Sequence, residues 1–285
     1  MRKIFTFTLF VFVSIIVCGC LSTSDDSNGE FVSVKGNSNY RFYGKETSIS
    51  DFYICKHEVT QQEWESVMGE HAGKFQGDNL PVENISWYMA VIYCNKRSLK
   101  EGLTPCYSVK TNGKELDWKS LKQSYLPRTL DEKRDWENIS CDFNTDGYRL
   151  PTVEEWMYAH EGGAKSGNHK YSGGDVIGDV AWYKDISNNK THDIMTKTPN
   201  ELGIYDMEGN VAEWCWNEYG SWTKKDSVFS NLYATMVVRS YAGTSYTSSD
   251  PYTNNNSARL YPAIKGSNPD AKIAESGLRV VRSRF

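Results

Sequence analysis

The pattern of apolar stretches, polar caps and glycines along the chain predicts three helices. Each begins at a Ser or Thr that can cap the first turn, and two of them also place a Glu three residues later, which completes a capping box. Gly69, Gly102 and the pair Gly162-Gly163 follow as stop signals. The predicted helices run from Thr60 to about Met68, from Ser86 to about Leu99 and from Thr152 to Glu161.

Short runs of alternating or apolar residues predict strands at residues 31–34, 49–54, 237–241 and 278–282. The polar region from Thr104 to Asp142 has weak periodicity and is predicted to form short strands and loops, and no helix is predicted beyond Gly163. No repeat or linker composition follows residue 30. The pattern therefore predicts one α+β domain, residues 31–285, with few helices and long irregular segments.

The N-terminal residues have the composition of a bacterial lipoprotein signal. Two basic residues precede an apolar run from Ile4 to Val17, which is short for a membrane span and fits a signal-peptide core. The run ends in Val-Cys-Gly-Cys, which resembles a lipobox, so residues 1–19 are expected to be cleaved and Cys20 to be lipidated. Residues 20–30 are predicted to form a flexible tether to the bacterial cell envelope, on its outer surface or periplasmic face. The alternative is an ordinary cleaved signal peptide.

Charge and aromatic content narrow the class of partner. The formal net charge of the 285-residue chain is −4, and no long basic run exists. Nucleic-acid binding needs a clustered positive surface and is therefore disfavoured. Aromatic residues make up 13% of the chain, with 18 Tyr and 9 Trp. Such an excess suits a loop-rich fold or a binding surface.

The cysteines and histidines beyond the lipobox show no ligand spacing, so no zinc site is expected. The cysteines stand singly, and apolar neighbours favour buried free thiols, although export would permit disulfides. They are Cys55, Cys94, Cys106, Cys141 and Cys215. Surface or hydrogen-bonded structural roles are predicted for His57, His71, His160, His169 and His192.

Asp142-Phe143-Asn144-Thr145-Asp146-Gly147 has the spacing of a calcium loop. An EF-hand also needs a bidentate Glu at its twelfth position, where this chain has Val153. We favour a polar turn, because Asn and Asp tolerate left-handed geometry and Gly147 can complete the bend.

Four motifs occur in a fixed order between about residue 31 and the C-terminus. They are Pro-Val-Glu-Asn-Ile-Ser-Trp at 81–87, Gly-Tyr-Arg-Leu-Pro-Thr at 147–152, the segment 199–214 ending in Gly-Asn-Val-Ala-Glu-Trp, and Gly-Leu-Arg-Val-Val-Arg at 277–282. An upstream Glu58-Val59-Thr60 also matches. In this combination they resemble the formylglycine-generating-enzyme, or sulfatase-modifying factor, family. The resemblance implies a C-type-lectin-like fold of that subtype, with little regular secondary structure.

Members of this family that make formylglycine oxidise a substrate cysteine with O2, and the resemblance implies that two C-terminal cysteines bind their copper. This chain has no cysteine after Cys215 and no histidine after residue 200. Copper(I) selects soft thiolates, so no copper is expected and formylglycine synthesis is disfavoured. No catalytic residue is assigned.

Calcium is the cofactor that the resemblance suggests. Asn210 and Glu213 match positions that ligate calcium in the family, and their oxygens suit a hard cation. The alternative is that both side chains only form hydrogen bonds inside a long loop.

The stretch from Ser240 to Tyr261 consists mostly of Ser, Tyr, Thr and Asn, a mixture used by binding loops. It also resembles lectin-fold proteins that retroelements diversify at adenine-rich codons; the alternative is an ordinary polar loop. The predicted ligand-binding residues are Tyr241, Ser245, Tyr246, Asp250, Tyr252, Asn254, Asn256 and Tyr261.

These features together favour a membrane-tethered, non-catalytic binding module whose partner is an unknown protein or glycan. Two alternatives remain open. One is an enzyme of the same family with an unrecognised active site, and the other is a purely structural envelope protein.

Overall fold

The computed structural model describes residues 29–71, 73–122, 126–127, 129–219, 237–250 and 264–285. Its strands are β1 (Phe31–Val34), β2 (Asn37–Phe42), β3 (Lys45–Ile49), β4 (Phe52–Cys55), β5 (Tyr107–Ser108), β6 (Lys110–Thr111), β7 (Lys114–Glu115), β8 (Ser140–Cys141), β9 (Ala181–Trp182), β10 (Glu208–Gly209), β11 (Ala212–Glu218), β12 (Arg239–Ala242), β13 (Lys265–Ser267), β14 (Ser276–Gly277) and β15 (Val281–Ser283). Its helices are α1 (Gln61–Met68), α2 (Trp87–Lys100), α3 (Leu130–Glu137), α4 (Val153–His160) and α5 (Ile177–Val180), with a 3-10 turn at Gly163–Lys165.

Two sheets organise the described residues. In the first, β4 pairs antiparallel with β1 on one side and with β15 on the other, so the beginning and the end of the domain meet on one strand. The second has the order β13-β12-β11-β14, in which β11 and β14 are parallel and the other pairs are antiparallel. Short two-stranded pairs complete the mixed α and β architecture.

The three predicted helices are confirmed. The capping boxes at Thr60 and Thr152 are both formed, since each hydroxyl accepts from a backbone N–H and the Glu three residues on bonds back to the cap. Ser86 caps α2 by accepting from the Met89 N–H. The predicted strand at 31–34 is confirmed as β1, whereas the run at 49–54 is divided between the ends of β3 and β4.

The prediction that residues 104–142 contain only short strands and loops was wrong in one respect, because α3 lies within them. Thr129 and Glu132 form a third capping box there. The helix is polar and buries only Trp136, which packs edge-to-face against Tyr88 of α2 at 5.0 Å between ring centroids. A one-turn helix, α5, also lies beyond Gly163, where none was predicted.

Two hairpins turn on residue pairs in the left-handed region. Tyr43 and Gly44, with φ of 47° and 75°, join β2 to β3, and Asn112 and Gly113, with φ of 51° and 74°, join β6 to β7. Positive φ at both central residues matches the twist of the flanking strands.

Large aromatic side chains fill the core around α2. Trp64 of α1 and Tyr93 of α2 stack with ring centroids 5.2 Å apart and planes 4° apart. The indole nitrogens of Trp87 and Trp214 donate to the carbonyls of Cys215 and Ile85 at 2.9 and 3.1 Å. These bonds link the start of α2 to β11 and satisfy the indole N–H groups of Trp87 and Trp214.

The N-terminal boundary of the fold lies before β1. Glu30, which the sequence assigns to the tether, accepts two bonds from Arg97 of α2 and is therefore part of the folded domain. The predicted signal and Cys20 lie outside the described residues. Among the residues that are described, no helix has the length and apolarity needed to cross a bilayer.

Replacing Gly209 by Ala is expected to destabilise the protein more than the same change at Gly203. Both glycines have φ near +80°, so both variants lose about 1–2 kcal/mol to backbone strain. A Cβ at Gly209 would also overlap the backbone of Trp182, whereas one at Gly203 meets nothing within 4 Å. Urea unfolding should show an additional loss of about 1–3 kcal/mol for Gly209→Ala. Equal losses in the two variants would contradict the close approach of β10 to β9.

Candidate functional site

The motif Gly-Asn-Val-Ala-Glu-Trp joins β10 to β11 through a bend at Asn210, whose φ is 51°. The Asn210 amide nitrogen donates to Glu58 Oε2 at 2.7 Å and to the His192 carbonyl at 3.1 Å. Its Oδ1 accepts from the His192 backbone N–H at 3.0 Å. The side chain is buried, and all of its polar groups serve to hold the bend against two distant segments.

Glu58 is the buried acceptor for this bend. Its Oε1 accepts from the Val211 N–H at 3.0 Å, and its side chain has no exposed surface. Burial raises the pKa of Glu58 well above its ordinary value, and the nearby carboxylates of Asp206 and Glu213 raise it further. This carboxyl therefore takes up a proton more readily than a surface glutamate does.

A buried ion pair lies beside Glu58. The Arg279 guanidinium donates to Glu213 Oε1 at 2.8 Å and to the carbonyls of Cys55 and Tyr205 at 3.0 and 2.8 Å. The Trp156 indole N–H donates to Glu213 Oε2 at 2.6 Å. Both charged side chains are at most 1% exposed. Because Arg279 and Glu213 both form several hydrogen bonds, the large free-energy cost of burying the two charges is offset.

The two predicted calcium ligands therefore bond to protein groups in this structure. Asn210 Oδ1 is occupied by the His192 N–H, and both Glu213 oxygens are occupied by Arg279 and Trp156. An ion held by both side chains would have to share these oxygens with the present donors or replace them. Calcium ligation by Asn210 and Glu213 stays a prediction.

Residues 142–147 form a polar turn that is held by its own side chains. Asp142 Oδ1 accepts from the Asn144 N–H at 2.9 Å, and the Thr145 hydroxyl donates to the Asp142 carbonyl at 3.0 Å. Asp146 accepts from the Thr104 N–H at 2.8 Å. The turn that the sequence favoured is thus the arrangement observed.

Of the predicted ligand-binding residues, Tyr241 and Asp250 are half-buried and reach the surface. Tyr241 lies on β12 opposite Trp214, with ring centroids 5.4 Å apart in an edge-to-face contact. Asp250 accepts from the Tyr171 hydroxyl through both oxygens at 3.0 Å. Both side chains are therefore held by contacts within the chain, and each keeps part of its surface exposed.

Ser245 and Tyr246 lie deeper than a binding-loop composition suggests. Tyr246 is 2% exposed and meets Phe75 edge-to-face at 5.5 Å, and its backbone N–H donates to the Asn210 carbonyl at 2.8 Å. Ser245, 5% exposed, shares its hydroxyl with Thr247 and Ser248. Both residues fix the shape of the loop. Their contact with a ligand, which would require the loop to move, stays a prediction.

The other predicted site residues lie outside the described residues. They are Tyr252, Asn254, Asn256 and Tyr261 of the binding loop and the lipidation site Cys20.

The described thiols and imidazoles are held within the fold. Cys55, Cys94, Cys106, Cys141 and Cys215 are free, as predicted, and burial raises the pKa of each thiol. Buried neutral thiols are poor nucleophiles. All five histidines form hydrogen bonds, and that their roles are structural stays a prediction. The partners are Glu58 O for His57, Glu65 for His71, Glu208 for His160, Asp175 for His169 and Ser187 O for His192.

Sequence reasoning missed the contact that joins this network to the loop from Tyr241 to Asp250. Glu208 lies between His160, whose Nε2 is 2.8 Å from Oε1, and the Thr244 hydroxyl, 3.3 Å from Oε2. Thr244 in turn accepts from the Gly209 N–H at 2.9 Å. The three residues are separated by up to 84 positions, and only the position of Glu208 within the third motif could have drawn attention to it.

The described residues have a C-type-lectin-like fold. Its motifs supply the buried network of Glu58, Asn210, Glu213 and Arg279, which supports the loop from Tyr241 to Asp250. The chain belongs to the family of sulfatase-modifying factor enzyme 1-like domains, whose model matches residues 25–284.

Relatives and solved structures agree with this assignment. The chain is 34% identical over 305 aligned residues, 100% of both proteins, to the chaperone protein LppX of Paenibacillus barcinonensis. It is 28% identical over 161 residues to the formylglycine-generating enzyme of Streptomyces coelicolor, covering 50% of this chain and 49% of that protein. The solved structure of Treponema denticola variable protein 1 superposes with a TM-score of 0.72 at 29% identity, covering 90% of this chain and 94% of that one.

Arg279→Met is expected to cost about 3–5 kcal/mol of unfolding free energy, because it leaves the Glu213 charge buried without its partner. Combining it with Glu213→Gln should cost less than the sum of the two single changes, since the double variant buries no charge at this position. Lys35→Met, which breaks the exposed pair with Asp51, is the control and should cost less than about 1 kcal/mol. A loss for Arg279→Met as small as that of the control would contradict a central role for the ion pair.

Proposed function

We propose that this protein is an envelope-anchored, non-catalytic binding module whose partner is a polypeptide. The main support for this proposal is the arrangement of the loop from Tyr241 to Asp250. Its inner residues are bonded to the buried residues Glu208, Gly209 and Asn210, whereas its outer residues reach solvent. Such a preorganised surface loses little conformational freedom on binding.

The inner contacts of the loop support the proposed rigidity. Thr244 is tied to Glu208 and Gly209, and the Tyr246 backbone is bonded to Asn210 and to the Ser187 hydroxyl, which donates to its carbonyl at 2.7 Å. On the outer side, Thr247 and Ser248 are partly exposed and Ser249 is exposed. With Tyr241 they offer hydroxyl and aromatic groups, a combination that adapts to varied protein surfaces.

The relatives support a polypeptide as the partner. The full-length relative is named as a chaperone protein, and a protein with that role contacts other polypeptides. A glycan is the other class considered, and it serves as the comparison ligand in the test.

The likeness to a protein named as variable also supports the proposal that retroelement diversification acts on this loop.

Formylglycine generation is the competing proposal. It would need a pair of accessible thiols to hold copper, and residues 216–285 contain neither Cys nor His. Among the described residues, the thiols are buried within the core or against it. The binding proposal requires no such pair.

The binding test uses Ser249→Arg in the full chain. Reduced, carboxymethylated α-lactalbumin, which stays unfolded, is the labelled probe, and fluorescence anisotropy measures its affinity. Wild-type protein should bind the probe saturably, and Ser249→Arg should weaken binding about tenfold or more, because a long cation obstructs the outer face of the loop.

Ser38→Arg is the matched control, since it makes the same change at an exposed position of β2, and it should bind as the wild type does. Binding of a glycan array but not of the probe would contradict a polypeptide partner. Equal binding by the two arginine variants would contradict the proposed face.

Anchoring is tested separately with Cys20→Ser. In a bacterial host fed with labelled palmitate, the wild-type protein should carry label and sediment with membranes, whereas Cys20→Ser should lose both. Cys18→Ser, two residues away, should behave as the wild type. Label that depends on neither cysteine, or on Cys18 alone, would contradict lipidation at Cys20.

A further inference from the structure

A cluster of three different side chains that can bind metals lies at the junction of β1 and β4. A carboxylate oxygen of Glu30, the Sγ of Cys55 and an imidazole nitrogen of His57 all lie within 4.8 Å of one another. Cys55 ends β4 and His57 follows it by two residues, whereas Glu30 precedes β1, which pairs with β4. The sequence gives no zinc spacing here because the third group, Glu30, lies 25 positions before Cys55.

We propose that Glu30, Cys55 and His57 bind a divalent cation of borderline softness, such as Zn²⁺, with the fourth position open to water. Thiolate, imidazole and carboxylate are the three side-chain ligands that Zn²⁺ takes in proteins, and three of them with one open position is a common zinc arrangement. A harder ion such as Mg²⁺ or Ca²⁺ would not select the thiolate.

His57 forms a hydrogen bond that leaves its other ring nitrogen, Nε2, as the candidate ligand. Its Nδ1 lies 2.9 Å from the Glu58 carbonyl, so the tautomer with a proton on Nδ1 donates to that carbonyl. The lone pair is then on Nε2. Metal-bound histidines are usually oriented by a bond of this kind from the other ring nitrogen to a carbonyl or carboxylate.

Cys55 is a buried core cysteine whose thiol also meets a carboxylate. Its side chain has no exposed surface, yet its Sγ lies 3.6 Å from Glu30 Oε1, and the thiol points toward that carboxylate. Its carbonyl is held by Arg279 at 3.0 Å, which fixes the backbone on the other side. The ion can approach from the surface, because the side chains of Glu30 and His57 are 18% and 13% exposed.

Arg97 competes with a metal ion for Glu30, but it also has a second carboxylate partner. Its Nη2 donates to both Glu30 oxygens at 2.8 and 2.9 Å, and its Nε donates to Glu101 at 3.0 Å. If Glu30 turns one oxygen toward a metal ion, Arg97 keeps Glu101 as its counter-ion. Glu63, whose Oε2 lies 4.0 Å from His57 Nδ1, adds a further negative charge beside the site.

Binding must displace the thiol proton. Burial and the Glu30 carboxylate raise the pKa of the Cys55 thiol well above its ordinary value, so the thiol is protonated at neutral pH. Coordination replaces the S–H bond by an S–Zn bond and releases one proton to the buffer. The apparent affinity should therefore rise with pH.

The test titrates purified full-length protein in detergent with ZnCl2 by calorimetry in buffers of different ionisation enthalpy, and with CoCl2 by absorption. We expect one equivalent bound, proton release on Zn²⁺ binding, and a thiolate-to-Co²⁺ charge-transfer band. Cys55→Ser should abolish that band, and His57→Gln and Glu30→Gln should each weaken Zn²⁺ binding about tenfold or more.

Cys94→Ser is the matched control, because it removes another fully buried thiol and should keep the band and the affinity. A cooperative thermal unfolding transition in each variant shows that it is folded. If Cys55→Ser does not fold, the loss of Zn²⁺ affinity in His57→Gln decides the test. A charge-transfer band that survives in Cys55→Ser, or Zn²⁺ binding that is unchanged in His57→Gln, would overturn the proposal, as would the absence of any band in the wild type.

Discussion

The structure depends most on the buried ion pair between Arg279 and Glu213. The pair joins the C-terminal segment to β11, and the remaining donors of Arg279 bind the carbonyls of Cys55 and Tyr205. The planar, five-donor guanidinium suits this position because it can bind several acceptors in fixed directions, which a lysine cannot do. Removing either partner would leave an unpaired buried charge, so packings of the chain that separate Arg279 from Glu213 are disfavoured.

From this pair the family motifs can be understood as parts of one scaffold. Trp156 of α4 donates to Glu213, and Glu58 and Asn210 fix the adjoining bend. The Tyr246 backbone N–H donates to the Asn210 carbonyl at this bend, and the Thr244 hydroxyl donates to Glu208. The loop that we propose as the binding surface therefore rests on groups that serve folding first. This division allows the outer residues to change without loss of the scaffold, which is what a diversified binding surface requires.

Local features were predictable from the sequence, and long-range features were not. Caps act over three residues, so the starts of α1, α2 and α4 follow directly from Thr60, Ser86 and Thr152. The same signal at Thr129 and Glu132 was overlooked because α3 is too polar to stand out by periodicity. The bond between Glu58 and Asn210 spans 152 positions, and no local pattern reveals it. Composition drew attention to the loop but could not show that Tyr246 is buried and Tyr241 half-exposed. Tyrosine occurs at both kinds of position because it combines an apolar ring with a polar hydroxyl.

The central claim is that the C-terminal loop, and not the motif network, meets the partner. Hydrogen exchange of the full-length protein, followed by mass spectrometry with and without saturating unfolded α-lactalbumin, tests it most directly. The account predicts slower exchange in peptides covering residues 240–250 and unchanged exchange in the Asn210–Trp214 segment, which is already protected in the free protein. Protection confined to other surfaces, such as the hairpin at residues 37–49, would contradict the account.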